Sequence, residues 1–139
     1  MKIFIINILF LCCCVACVPS SQRELYLFNK HYKGTPIKGL IPVVSLEKNN
    51  PDLTYIVYIK IPTDSLNEMI TKCSFYKIQN TTDVTIRHAL KQLCEKYPEI
   101  KGDFRKAIYE STIQGPIYTL YLLTDENNPD YAIFIKFGI

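Results

Sequence analysis

Cysteine and histidine are the side chains of this 139-residue sequence best suited to chemistry, because a thiol can form a disulfide, bind a metal or attack a substrate. Six cysteines are present, and four of them cluster at positions 12, 13, 14 and 17. The other two, Cys73 and Cys94, lie 21 positions apart on stretches with apolar residues at helical spacing. They could close a disulfide, which would stabilise the fold by ~3 kcal/mol, or remain two buried free thiols.

The two histidines, His31 and His88, could act as general bases if the fold placed a nucleophile beside them. No serine or cysteine lies in a hydrolase motif such as G-x-S-x-G. The five glycines are isolated in the sequence, so none forms a phosphate-binding loop. Cys73 and Cys94 have no partner at the spacing of a zinc site. We therefore expect no enzyme, no cofactor and no metal.

The N-terminal segment, residues 1–16, has the order of a secretory signal peptide. Lys2 supplies a positive start, and the apolar run from Ile3 to Leu11 is interrupted by a single asparagine. Small residues follow, as they do at a cleavage site. The apolar stretch from Ile3 to Val18 has 16 residues, fewer than the ~20 that a membrane-spanning helix needs. The segment therefore predicts export from the cytosol.

The end of this segment, Cys14-Val15-Ala16-Cys17, resembles the lipobox of bacterial lipoproteins, in which a small residue precedes the cysteine that becomes lipid-modified. The family prefers leucine where this chain has Cys14. The resemblance implies that Cys17 receives a diacylglyceryl group, that the signal is cut before it and that its new amino group is acylated, for example with palmitate. Two or three acyl chains would anchor the protein stably in a membrane. The alternative is cleavage near Ala16 or Ser20 and free secretion.

The composition is that of a globular protein, with 48% hydrophobic and 21% charged residues. The net charge is +3, and one of the positive charges is Lys2 in the signal. The other basic residues are scattered among acidic ones, which argues against a nucleic-acid partner. The expected partners are a membrane, through a lipid on Cys17, and a protein.

Apolar periodicity indicates the elements that would position these residues. Residues 17–40 predict a tether after the lipid-bearing cysteine, with one short strand at Leu25–Phe28. Ser65 and Glu68 have the spacing of a capping box and predict a short helix. An apolar stripe predicts an amphipathic helix over Asp83–Tyr97. Alternating or β-branched segments predict strands at 41–46, 53–61, 75–78, 108–113, 117–123 and 131–139.

Together the elements predict a single α+β domain over residues 41–139, an antiparallel sheet covered on one face by the Asp83–Tyr97 helix. The last two strands have no helix between them, so we expect a hairpin rather than a parallel unit. The last strand is apolar enough that we expect it inside the sheet, since an exposed edge of that kind would favour aggregation. Residues 101–114 fit either helix or strand, and we favour strand.

Three functions fit the sequence. The first is an exported lipoprotein that acts as a binding or interaction module of the bacterial cell envelope. The second is a secreted soluble factor, such as an inhibitor or a host-directed effector, which in a eukaryotic or viral source could be glycosylated at the Asn80-Thr81-Thr82 sequon. The third is a small hydrolase. Strand tyrosines could supply a binding surface, although core packing suits them better: Tyr55, Tyr58, Tyr118, Tyr121 and Tyr131.

Overall fold

The apolar segments fold into three helices and six strands in a computed structural model, which describes residues 19–49, 54–78, 84–104, 107–111 and 118–138. The predicted α+β class is confirmed. The helices are α1 (Ser20–Tyr32), α2 (Thr63–Lys72) and α3 (Val84–Lys96). The strands are β1 (Ile41–Lys48), β2 (Thr54–Lys60), β3 (Tyr76–Ile78), β4 (Ala107–Ser111), β5 (Tyr118–Thr124) and β6 (Tyr131–Gly138).

The six strands form one antiparallel sheet in the order β1-β2-β6-β5-β4-β3. The last strand, β6, lies inside the sheet, where Phe134 pairs with Val57 of β2 on one side and with Leu122 of β5 on the other. The hairpin of β5 and β6 is closed by a turn in which the Asn128 N–H donates to the Asp125 carbonyl at 2.9 Å. Both predictions about the last strand are therefore confirmed.

Helices cover both faces of the sheet, because the central strands are apolar on both sides. Helix α3 packs on one face, as predicted, through Ile86, Leu90 and Leu93. The sequence predicted no layer on the opposite face, but α1 and α2 cover it. The buried residues of this second face are Phe28, Tyr32, Leu66, Met69, Cys73 and Phe75 together with Tyr55, Val57, Ile59, Ile61, Leu120, Leu122, Ala132 and Phe134.

Residues 20–32 form a helix of the folded domain, whereas the sequence predicted a tether with a strand at Leu25–Phe28. Phe28, His31 and Tyr32 are buried against the sheet and recur at the spacing of one helix face. A short continuous apolar run fits a strand or a helix equally well by periodicity, and packing on the sheet decides for the helix. The helix ends at Tyr32, and the left-handed backbone of the next residue, Lys33 (φ 48°), begins the loop over residues 33–40.

The predicted capping box at Ser65 and Glu68 is not formed. Helix α2 starts earlier, at Thr63 after Pro62, and has no side-chain hydrogen bond at its N-cap. The Ser65 hydroxyl instead donates to the Lys38 carbonyl at 2.6 Å. Ser65 therefore links α2 to the loop over residues 33–40 rather than capping its own helix.

The other predicted elements are confirmed, with small shifts at their ends. β1 extends to Lys48, β3 begins at Tyr76, and the ambiguous stretch after residue 101 contains strand β4, as we favoured. The predicted helix start at Asp83 and the last two residues of the predicted strand 108–113 lie outside the described residues.

Candidate functional site

Three polar side chains stand in a row across the sheet beneath α1. Glu47 of β1 pairs with Tyr55 of β2, and Tyr55 pairs with Lys136 of β6. Directly opposite residues of neighbouring strands point to the same face, so the row faces α1. A shift of one residue in this register would turn a member of the row to the other face.

His31, near the end of α1, lies over this row. Its Nε2 makes a hydrogen bond with the Glu47 carboxylate, and its ring stacks on the Tyr55 ring with centroids 4.3 Å apart. Burial lowers the pKa of His31, while Glu47 opposes that change. The pKa of Glu47 is lowered, chiefly by the hydrogen bond with His31. At neutral pH the pair is therefore a neutral imidazole that donates its Nε2–H to an ionised carboxylate.

Lys136 extends from the central strand to the end of α1 and is only 2% exposed. Its Nζ donates a hydrogen bond to the His31 carbonyl at 3.0 Å and lies 4.1 Å from the centroid of the Tyr118 ring. The last carbonyls of a helix lack partners within the helix and carry partial negative charge, so they suit an ammonium group. Burial lowers the pKa of Lys136.

A second set of polar groups joins the first half of α1 to β1. The Ser45 hydroxyl donates to the Glu24 carboxylate at 2.5 Å. The Tyr55 hydroxyl is buried close to Ser45, but it makes no hydrogen bond of ordinary geometry to any described residue. Burial raises the pKa of Tyr55, so its hydroxyl stays protonated. The polar cluster of α1 (Glu24, His31, Ser45, Glu47, Tyr55 and Lys136) therefore fixes the helix to the sheet at two points.

This polar cluster is closed to large ligands. His31, like Lys136, is only 2% exposed, and Tyr55 is fully buried. A substrate could not reach His31 or Lys136 without moving α1. The role of the cluster is therefore electrostatic. It holds α1 in register on the sheet, and the strength of this attachment depends on pH.

A groove of about 410 Å³ runs between α1 and the loop over residues 33–40. Its walls are mainly apolar, with Asn29 and Lys33 as polar members. Gly34 packs against the Tyr32 ring so closely that a Cβ at this position would lie 2.5 Å from the ring's Cζ. The apolar walls are formed by Leu25, Phe28, Tyr32, Pro36, Ile37 and Leu40.

A second groove, of about 520 Å³, lies beside α3. Arg87, Lys91 and Cys94 of the helix face Asp103 and the neighbouring loop across it. The partial burial of Cys94 raises the pKa of its thiol, which disfavours the reactive thiolate. This groove therefore has a cationic wall but no activated nucleophile among its described lining residues.

The two cysteines considered for a disulfide are free thiols in the structure. Cys73 is buried on the face covered by α1 and α2, where its sulfur lies 3.1 Å from the Tyr32 hydroxyl. Cys94 is exposed on α3, which packs on the opposite face. The sheet lies between these two layers, so the disulfide does not form. The predicted sites at Cys17 and Asn80 lie outside the described residues.

The sheet also separates the two histidines from each other, and the strand tyrosines are divided between its two faces. His88 is exposed on α3, where its Nε2 shares a hydrogen bond with Gln92 at 2.9 Å, far from the buried His31. Tyr55, Tyr58 and Tyr121 are buried, and Tyr118 and Tyr131 are partly buried. Tyr58 and Tyr131 stack with ring centroids 4.9 Å apart. The tyrosines therefore serve core packing, the use we favoured, rather than an open binding surface.

Sequence reasoning missed the polar cluster of α1. One signal was available: Lys136 interrupts an otherwise apolar strand that we expected inside the sheet. A lysine in such a strand needs a buried acceptor, because an unpaired buried charge is very costly. Its acceptor, the His31 carbonyl, lies 105 positions earlier in the sequence, in a segment that we expected to be a tether.

Within the described ranges, no group of three or more histidine, cysteine or acidic side chains could hold a metal ion. None of the helices in the described part of the chain is long and apolar enough to cross a membrane. No protein-family model, curated protein or solved structure matches the sequence or the fold.

Proposed function

We propose that this chain is an exported lipoprotein, anchored through a lipid on Cys17, whose domain is a binding or interaction module of the cell envelope. The observation that carries the proposal is the order of the N-terminus, with an apolar run followed by Val15-Ala16-Cys17. The order resembles that of a lipobox, and the cysteine that would be modified stands three positions before the start of α1 in the sequence.

The described side chains favour binding over catalysis. His31 and Lys136 are buried, His88 is exposed on the other side of the sheet, and Cys94 has a raised thiol pKa. A hydrolase site that uses nucleophilic catalysis requires a nucleophile and a base within hydrogen-bonding reach of each other and of a substrate. The features open to a partner are instead the two grooves and the exposed side of α1.

The test is metabolic labelling of the full chain in a bacterial host supplied with an alkyne-tagged palmitate. We expect label on the parent protein, which should fractionate with membranes. Cys17→Ala should remove the label. Cys13→Ala is the matched control, because Cys13 lies in the same segment but follows another cysteine rather than a small residue, and it should keep the label. An unlabelled parent protein in the culture medium would contradict the proposal and favour the secreted factor.

A further inference from the structure

Helix α1 presents an exposed side that is apolar at its centre. Leu25 and Tyr26 are 46% and 69% exposed, although most large apolar side chains of the described chain are buried. Exposed basic residues lie near this pair, at Arg23, Lys30 and Lys33, and of these Lys30 also forms an ion pair with Glu47 at 3.6 Å. The only acidic residue of α1, Glu24, accepts a hydrogen bond from Ser45 on the sheet instead. The outer side of α1 is therefore apolar in the middle and cationic around it.

A lipid on Cys17 would place this helix next to a membrane. Two residues, Val18 and Pro19, separate Cys17 from Ser20, where α1 begins, and the three Cα–Cα steps from Cys17 to Ser20 span at most ~11 Å when fully extended. A lipid on Cys17 would fix that residue at the headgroup level of the bilayer. The start of α1 must then lie within about the same distance of the lipid, so the chain has too little length to hold the domain away from the surface.

The helix is also fixed to its own domain. Phe28 and Tyr32 pack in the core, and Lys136 and Glu47 hold the end of α1 on the sheet. The anchor therefore positions the whole domain, and not a free helix. Tyrosine and leucine favour the interface between headgroups and acyl chains, and basic residues favour anionic lipids.

We infer that α1 lies along the membrane surface, with Leu25 and Tyr26 in the headgroup region, and so serves as a second membrane contact beside the lipid. The inference rests on the proposed function, because it requires the anchor at Cys17. The groove between α1 and the loop over residues 33–40 shares Leu25 with this contact. A bilayer would therefore also cover the apolar mouth of that groove.

The test uses the absence of tryptophan from the sequence, which makes a single substituted tryptophan an unambiguous probe. Tyr26→Trp places the probe on α1, and Tyr76→Trp is the matched control, because Tyr76 is 54% exposed on the distant edge strand β3. Both lipidated proteins are placed in vesicles of phosphatidylcholine with a minor share of phosphatidylglycerol. The phosphatidylcholine is either ordinary or brominated on its acyl chains, and bromine quenches nearby tryptophan.

We expect brominated vesicles to quench the Tyr26→Trp protein roughly twofold or more compared with Tyr76→Trp, because interfacial side chains lie ~5–10 Å into the boundary of the acyl region. The mass of each protein shows whether Cys17 carries the lipid. If both proteins are lipidated and are quenched equally, the inference is overturned, and the proposed function still stands. Proteins whose masses show no lipid on Cys17 would contradict the proposed function, and the inference would fall with it.

Discussion

The Nζ of Lys136 donates a hydrogen bond to the carbonyl oxygen of His31 at 3.0 Å, joining the last strand to the first helix across 105 positions of sequence. The same histidine bonds Glu47 through its ring, so its backbone and its side chain each hold a charged residue of the sheet. These contacts fix α1 on the domain. If Cys17 carries a lipid, these contacts would also fix, through α1, the position of the domain relative to that anchor.

Reversing the charge of Lys136 should destabilise the fold strongly. In Lys136→Glu a buried carboxylate would face the His31 carbonyl at the negative end of α1, and we expect a loss of ~3 kcal/mol or more in the free energy of unfolding. Lys136→Met keeps the length of the side chain without the charge and should cost less than ~1.5 kcal/mol, since relief from desolvation offsets the lost hydrogen bond. Urea unfolding measures both.

Lys60→Glu is the control for the charge reversal, because Lys60 is exposed at the end of the neighbouring strand β2. Its effect should stay within ~0.5 kcal/mol of the parent. Similar stabilities for Lys136→Glu and Lys60→Glu would mean that Lys136 is not buried as described.

The stability of the protein should fall as the pH drops below neutrality. Burial lowers the pKa of His31, so the folded state binds a proton less tightly than the unfolded chain, in which the usual value of 6.5 applies. The resulting loss of stability begins as the pH falls through about 6.5 and is complete below the pKa of His31 in the folded state. The pKa of Glu47 is also lowered, and its stabilising contribution disappears at still lower pH.

His31→Gln removes the titrating ring and can still donate to Glu47. Urea unfolding between pH 7.5 and 5 should therefore show a flatter dependence of stability on pH for His31→Gln than for the parent. The reason is that the variant no longer takes up a proton at this position on unfolding. His88→Gln, at the exposed histidine, should follow the parent. A slope for His31→Gln equal to that of the parent would show that His31 does not carry the effect.

The extent to which the sequence predicts this fold differs between its two layers. The strands 53–61 and 131–139 could be predicted because their apolar residues alternate over many positions, and α3 because its stripe spans several turns. Helix α1 could not be predicted in this way, because its apolar run from Leu25 to Phe28 fits a strand or a helix equally well. Only its packing against the sheet decides between them. The polar cluster of α1 depends on the register that aligns Glu47, Tyr55 and Lys136, and register is a tertiary property.

Gly34→Ala should destabilise the loop between α1 and β1. The new Cβ would lie 2.5 Å from Cζ of Tyr32, whose buried ring stacks on Phe28 and whose hydroxyl donates to the Thr35 carbonyl at 3.0 Å. The ring has little room to move, so we expect a loss of ~1–3 kcal/mol by thermal or urea unfolding. A gain in stability, as glycine-to-alanine changes give at unstrained positions, would contradict the close approach.

The two cysteines of the domain should react very differently. In the folded protein a maleimide should label the exposed Cys94, while the buried Cys73 should react only after unfolding. Cys94→Ser is the control and should abolish labelling of the folded domain, apart from any at Cys17. Peptide mass spectrometry of unreduced protein checks the pairing. A linked pair of peptides containing Cys73 and Cys94 would contradict the free thiols on opposite faces of the sheet.

The central claim is that a lipid on Cys17 holds this domain at a membrane surface. It is tested most directly by mass spectrometry of the N-terminal peptide of the mature protein from its native source. We predict a peptide that begins at Cys17 and carries a diacylglyceryl group on sulfur, with an acyl chain on its amino group. An unmodified peptide that begins near Cys17 or Ser21, from protein recovered in the medium, would contradict the claim.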